Sequence, residues 1–307
     1  MQRSVHSINT ALAQDAPAMI ARADADYATR LEALAADIRE HRNSRPLLLL
    51  AGPSGSGKTT TALMVEHMLD SAGFETHTLS MDDFFYPLSP EEQRLAAEEK
   101  LDLESPGRVD TAFLNETLQS LLDGKPTPLP HFSFRSNTRT PSGVTLTRKP
   151  GELIILEGIH ALNPEVITLP EDCTARLYVS VRTRLEGDNG SILHPSRVRL
   201  LRRMLRDKLY RSRDIADTLR MFRSVQRGEE RYIMPYKHRA TYEVDTFCPY
   251  EVSVYKTLLE ADMKVLTNAP EIAEIAAVWE TLTALSPELV PPRALIREFI
   301  GDSAFYR

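Results

Sequence analysis

The nine residues GPSGSGKTT, Gly52 to Thr60, constrain this chain more than any other stretch. They fit the spacing GxxxxGK[ST], with Gly52, Gly57, Lys58 and Thr59 at the required offsets. PLLLLAG, just upstream, is an unbroken apolar run of the kind that forms a strand buried on both faces. Downstream, Ala62, Leu63, Val65 and Met68 share one broad face of a helix. In a strand–loop–helix unit of this kind the glycines let backbone N–H groups turn inward around phosphate oxygens. The following helix adds the positive end of its dipole. Ser54, Gly55, Ser56 and Thr60 complete the cradle. Lys58 can reach the outer phosphates, and the Thr59 hydroxyl can hold Mg²⁺. The chain is therefore expected to bind a nucleoside triphosphate.

Residues 1–45 read as a helical extension, with Leu31, Leu34 and Ile38 at helical spacing for packing or for assembly of a homo-oligomer. Residues 46–250 form the nucleotide-binding domain. Within it THTLS, ELIILEG, ARLYVSV and YEVDTF are strand candidates, and strands alternate with helical text. That order implies a mostly parallel sheet covered on both faces. HFSF and VTLT suggest a small β-ribbon within 128–150. A long basic helix is expected from Pro195, through 195–231. Residues 251–307 read as a helical segment, with Leu258, Leu259, Met263 and Val265 available for packing and no assigned chemistry. Pro291-Pro292 marks a break before a last short helix.

No apolar run approaches the ~20 residues that span a bilayer, and the amino terminus has no basic segment followed by an apolar stretch. No membrane partner is expected. Two cysteines, Cys173 and Cys248, cannot staple 307 residues, so a reducing cytoplasm is the expected compartment. The net charge of −6 argues against a general nucleic-acid binder.

A phosphate loop alone leaves a kinase, a regulatory GTPase and a mechanical ATPase open. The guanine-reading NKxD string and the LSGGQ string are both missing. A kinase needs a base beside the acceptor hydroxyl, a metal-supporting carboxylate and cations for the transferring phosphoryl group. All three have candidates. Asp82 and Asp83 follow the second strand, where strand ends line the ligand crevice. Asp82 is placed to accept a proton, although such a pair also caps turns. Glu157 closes LIILE and could support Mg²⁺. His160 reads as structural. Eleven arginines lie between Arg197 and Arg231, with Arg199, Arg203, Arg206 and Arg213 on one helical face beside the stripe Val198, Leu201, Leu205 and Leu209. Such a face repels itself unless an anion is near, and a lid closing over phosphates would supply one. A solvated face or an RNA contact is the rival reading.

AGPSGSGKTT, LSMDDFF, PHFSFRSNTR, IILEGIHAL, RRMLRDKLYRSRD and MPYKHRATYEVD, in this order, resemble the uridine kinase and phosphoribulokinase family of P-loop kinases. The resemblance runs from Pro46 to Asp245 and implies an α/β fold with a doubly wound parallel sheet and a helical lid. It also implies transfer of the γ-phosphoryl of ATP, with Mg²⁺, to a hydroxyl of a small-molecule acceptor. By position, Asp82 matches the general base, Glu157 the Mg²⁺-supporting carboxylate and Thr59 the loop metal ligand. Glu104 stands where an aspartate holds the ribose. Arg203 matches the arginine near the sugar, and Arg206, Arg211 and Arg213 match lid arginines that reach phosphates and substrate. The base-reading set departs from the pattern: Phe132 replaces a tyrosine, Asn137 a histidine and Met221 a glutamine. Neither Phe132 nor Met221 can donate a hydrogen bond, so the acceptor expected is a nucleoside other than uridine, a sugar or a related polyol. A phosphoribulokinase-like sugar or sugar-phosphate kinase and a nucleotide-dependent regulatory ATPase are the alternatives.

Overall fold

The computed structural model describes every residue except Glu99, Val265, Thr267, Asn268, Tyr306 and Arg307; Val265, expected to pack, thus lies outside the described residues. The chain opens with a short strand the sequence reading did not anticipate, β1 (Gln2–Ser4). Helix α1 (Val5–His41) follows and bends at Asp15, whose extended backbone lets its carboxylate cap the second half through the Ala18 N–H. Leu31, Leu34 and Ile38 of α1 are buried, as their spacing predicts.

Strand β2 (Leu47–Ala51), helix α2 (Lys58–Ser71) and strand β3 (Thr76–Ser80) come next. Helices α3 (Pro90–Ala97) and α4 (Thr111–Leu122) lead into the antiparallel ribbon β4 (Thr127–Ser133) and β5 (Thr138–Leu146). Strands β6 (Leu153–Glu157) and β7 (Thr174–Ser180) return to the main sheet. β8 (Arg184–Glu186) and β9 (Ile192–Leu193) form a small sheet with β1. Helices α5 (Pro195–Tyr210) and α6 (Ile215–Tyr232), strand β10 (Tyr242–Asp245), and helices α7 (Glu251–Met263), α8 (Pro270–Trp279) and α9 (Arg297–Ile300) complete the chain.

The main sheet is parallel, in the order β10-β7-β2-β6-β3. Its strands feed two cores. Leu48, Leu50, Ile155, Leu177 and Val179 face one, while Leu47, Leu49, Ile154, Leu156 and Tyr178 face the other. Alternate residues therefore bury on opposite faces, which explains the unbroken LLLL and LIIL text. This is the doubly wound α/β fold expected. No described helix is long and apolar enough to cross a membrane.

The long basic helix expected over 195–231 is instead two. Helix α5 ends at Tyr210, Ser212 takes a left-handed conformation (φ 48°), and Asp214 caps α6 through the Ala216 N–H at 3.1 Å. Arg213 therefore sits in the joint and not on a helical face. Leu209, expected in the apolar stripe, is 53% exposed, while Val198, Leu201 and Leu205 are buried.

Candidate active site

β2 lies at the centre of the sheet, so the loop leaving its carboxyl end emerges between the ends of β6 and β7. The fit is tight: a Cβ on Gly52 would stand 2.1 Å from the Val179 carbonyl oxygen, so only glycine lets the strands stay paired there. Gly57, at φ 84°, turns the loop into α2. Lys58 Nζ donates to the Pro53 carbonyl at 3.3 Å, folding its ammonium over its own loop.

Three arginines of α5 fasten this loop from above. Arg199 donates to the Ser54 carbonyl and Arg202 to the Gly55 carbonyl, each at 3.2 Å, while Arg203 donates to Ser54 Oγ. Arg202 is wholly buried and forms a two-pronged pair with Glu251 at 2.7 and 3.0 Å. Arg199 pairs with Glu229 at 2.6 Å.

Strand register brings the carboxylates in. Glu157 is level with Leu50 of β2 on one side and with Ser80 of β3 on the other. Its Oε1 accepts from Ser80 Oγ at 2.9 Å and from Thr59 Oγ1 at 3.4 Å. Burial pushes the Glu157 carboxyl up to about 7; Lys58 pulls it down and Asp82 pushes it further up. Asp82 sits in the tight turn after β3, and burial likewise raises its carboxyl above the usual range against the pull of Lys58 and Arg211. Asp83 faces the other way and holds the ribbon, accepting from the Phe132 N–H at 2.9 Å, with His131 Nδ1 3.2 Å away. Glu104, close enough to feel Arg203, Lys58 and Asp82, is also raised, chiefly by burial. His160 is buried, its Nε2 donating to the Glu104 carbonyl at 2.9 Å; burial drops its pKa to about 4, which keeps it neutral.

The anion that relieves the arginine face is supplied by the protein itself. Asp207, whose side chain has no exposed surface, lies 3.2 Å from Arg206, 3.4 Å from Arg211, 3.3 Å from Arg213 and 3.9 Å from Arg203. Burial pushes its carboxyl up, but the four guanidinium groups outweigh burial and hold it below the usual range. The expectation of one phosphate-facing row is corrected accordingly. Arg199 and Arg203 grip the loop, Arg213 braces Asp207, and Arg206 and Arg211 reach the crevice.

That crevice has a volume of about 460 Å³. The loop residues Ser54, Gly55, Gly57, Lys58 and Thr59 form its floor, and Asp82, Glu157, Arg206 and Arg211 its walls. Of the residues singled out in the sequence, Gly52, Ser56, Thr60, Glu104, Phe132, Asn137, Arg203 and Arg213 do not line it. Phe132 is buried in an edge-on cluster with Phe85 and Phe134. Both amide atoms of Asn137 are engaged by Leu88, whose N–H it accepts at 2.9 Å and whose carbonyl it donates to at 2.8 Å. Ile159, Tyr210 and Glu298 line the crevice although sequence reasoning passed over them. Glu298 comes from the segment assigned no chemistry, and nothing in its local spacing distinguishes it. A larger hollow of about 890 Å³ lies beside Pro53 on the β10 side. Its Arg182 and Lys237 pair with Glu243, and its Arg199 with Glu229.

A family model described as the phosphoribulokinase / uridine kinase family matches residues 47–252. The chain is 35% identical over 173 residues to a uridine kinase of Schizosaccharomyces pombe, across 56% of this chain but only 34% of that protein. It is 31% identical over 196 residues to a uridine kinase of Staphylococcus aureus strain JH9, across 62% of this chain and 83% of that protein. Among solved structures, one from Silicibacter sp. TM1040 whose name points to a fructose transport system kinase matches with a TM-score of 0.51. That match covers 70% of this chain and 98% of the other at 18% identity, a likeness of fold.

Proposed function

This chain belongs to the phosphoribulokinase / uridine kinase family and is a P-loop kinase, a premise from which we propose that it moves the γ-phosphoryl group of Mg-ATP onto a hydroxyl of a small molecule. The observation that carries this reading is the crevice itself, where Lys58, Asp82, Glu157, Arg206 and Arg211 converge over the phosphate loop.

The residues fit a divalent cation. Thr59 Oγ1 and Glu157 Oε1 are adjacent, and Glu157 is a buried carboxylate whose ionised form needs a nearby positive charge. Bound there, Mg²⁺ would neutralise charge between the outer phosphates. The residues also fit a polyanion: burial and the neighbouring Arg206 depress Arg211 below the usual guanidinium range, a crowding that bound phosphates relieve.

In this reading Asp82 accepts the proton of the acceptor hydroxyl as its oxygen attacks the γ-phosphorus, and the bond to the leaving ADP oxygen breaks. Burial, by raising the Asp82 carboxyl, makes it a better proton acceptor than an exposed aspartate. Lys58, Arg206 and Arg211 stabilise charge on the transferring group. Glu104 does not line the crevice but is near enough to Asp82 and Arg203 to feel their charge, which supports a role in holding further acceptor hydroxyls.

The acceptor is a nucleoside other than uridine, a sugar or a related polyol. Phe132 has no polar hydrogen to donate, and Asn137 is turned to Leu88, with which it exchanges one hydrogen bond in each direction. A site that leaves a base's polar edge unpaired forfeits about 1–3 kcal/mol of discrimination per group. Coupled ADP release over a panel of nucleosides and sugars tests both parts. Slow hydrolysis insensitive to every acceptor would favour a regulatory ATPase, and strong selectivity for uridine and cytidine would overturn the acceptor reading.

A further inference from the structure

The segment beyond Pro291-Pro292 lies directly on the phosphate loop. Arg297 fastens it, donating to the carbonyls of Pro287, Val290 and Gly301. Three neighbours then reach the loop and α5. The Leu295 side chain lies 3.2 Å from where a Cβ on Gly57 would stand. Glu298 Oε2 accepts from the Thr60 N–H at 3.2 Å and from Thr60 Oγ1 at 2.7 Å. Phe299 is fully buried, with the Arg202 guanidinium 5.0 Å from its ring centre.

The Thr60 N–H belongs to the first turn of α2. A phosphate loop offers such donors to nucleotide phosphates. One N–H cannot serve two anions at once, and a carboxylate repels a phosphate brought beside it. A carboxylate at a helix start is commonly no more than a cap. Glu298 differs because it arrives from 238 residues away and also walls the crevice alongside Lys58 and Thr59. Phe299 meanwhile covers a guanidinium face, a surface on which a flat aromatic ring such as a nucleobase can stack.

We propose that Glu298 is a nucleotide-affinity-determining residue. Its carboxylate holds the Thr60 donors against the nucleotide, so Mg-ATP binds as α9 withdraws and carries Phe299 off Arg202. The proposal rests on the reading of Gly52–Thr60 as the ATP site.

The test uses the full chain and its Glu298→Gln variant, a swap that keeps size and removes charge. Calorimetry with Mg-ATP, and separately with inorganic triphosphate, is expected to show the variant binding both about tenfold more tightly. Hydrogen exchange in the wild type should quicken at residues 294–301 when Mg-ATP is added. A variant that binds equally or more weakly overturns the proposal, as does unchanged exchange at saturating nucleotide. Wild-type protein that takes up no Mg-ATP would remove the nucleotide-site reading as well, whereas wild-type binding with no gain in the variant removes the Glu298 assignment alone.

Discussion

Thr59 Oγ1 donates to Glu157 Oε1 at 3.4 Å, joining the second residue of α2 to the last residue of β6 across 98 positions of sequence. In this pair a loop hydroxyl meets a carboxylate that burial has raised to about 7. A cation seated there must displace a proton whenever the pH lies below that value.

Magnesium dependence should therefore vary with pH. The apparent Mg²⁺ affinity in the presence of ATP is expected to weaken roughly tenfold per unit as pH falls below ~7, with proton release visible in buffers of different ionisation enthalpy. An affinity that stays flat between pH 5.5 and 8 would separate Glu157 from the metal.

The same carboxyl makes a stability statement without ligand. Its folded pKa lies above the unfolded value, so the folded state holds the extra proton between about 4.5 and about 7. Its contribution to stability is complete at low pH and is lost as pH rises through 7. Glu157→Gln removes that loss, so the nucleotide-free variant should melt higher than wild type at pH 8, with the difference shrinking toward pH 5. A variant that melts lower at pH 8 would contradict the buried-charge account.

Asp82→Asn should keep Mg-ATP binding and lose phosphoryl transfer by about 10²-fold or more, measured as acceptor-dependent ADP release. Arg206→Ala should lower turnover by about 10²–10³. Near wild-type turnover in either variant would remove that residue from its role.

Asp207 lies within ion-pair reach of four arginines from a fully buried position. Breaking such an arrangement on one side typically costs about 3–5 kcal/mol. Asp207→Asn is expected to unfold at markedly lower denaturant than wild type. Arg213→Ala, which removes one half-exposed partner of the four, should cost far less. Equal losses in the two variants would show that Asp207 is not the hub of the cluster.

The phosphate cradle was legible in the sequence because its chemistry is local. GxxxxGK[ST] fixes where glycine, lysine and hydroxyl fall along one turn, and the apolar runs on either side fix a strand before and a helix after. Asp82 and Glu157 were legible for a related reason: one follows a strand and the other ends one, and parallel strands end on one face. Partner choice was not legible. The eleven arginines gave a charge pattern, but only the packing of α5 on the loop decided that Arg199 and Arg202 hold loop carbonyls and Arg203 the Ser54 hydroxyl, while Arg206 and Arg211 reach the crevice. The break at Ser212 had a signal in Asp214, a residue type suited to cap a new helix, yet the arginine periodicity masked it. Glu298 had no local signal, because its role depends on a contact 238 residues away. Short-range steric and periodic rules act along the chain and can be read from it. The pairing of one buried charge with another is settled only when the chain closes, because burial makes each unpaired charge too costly to leave alone.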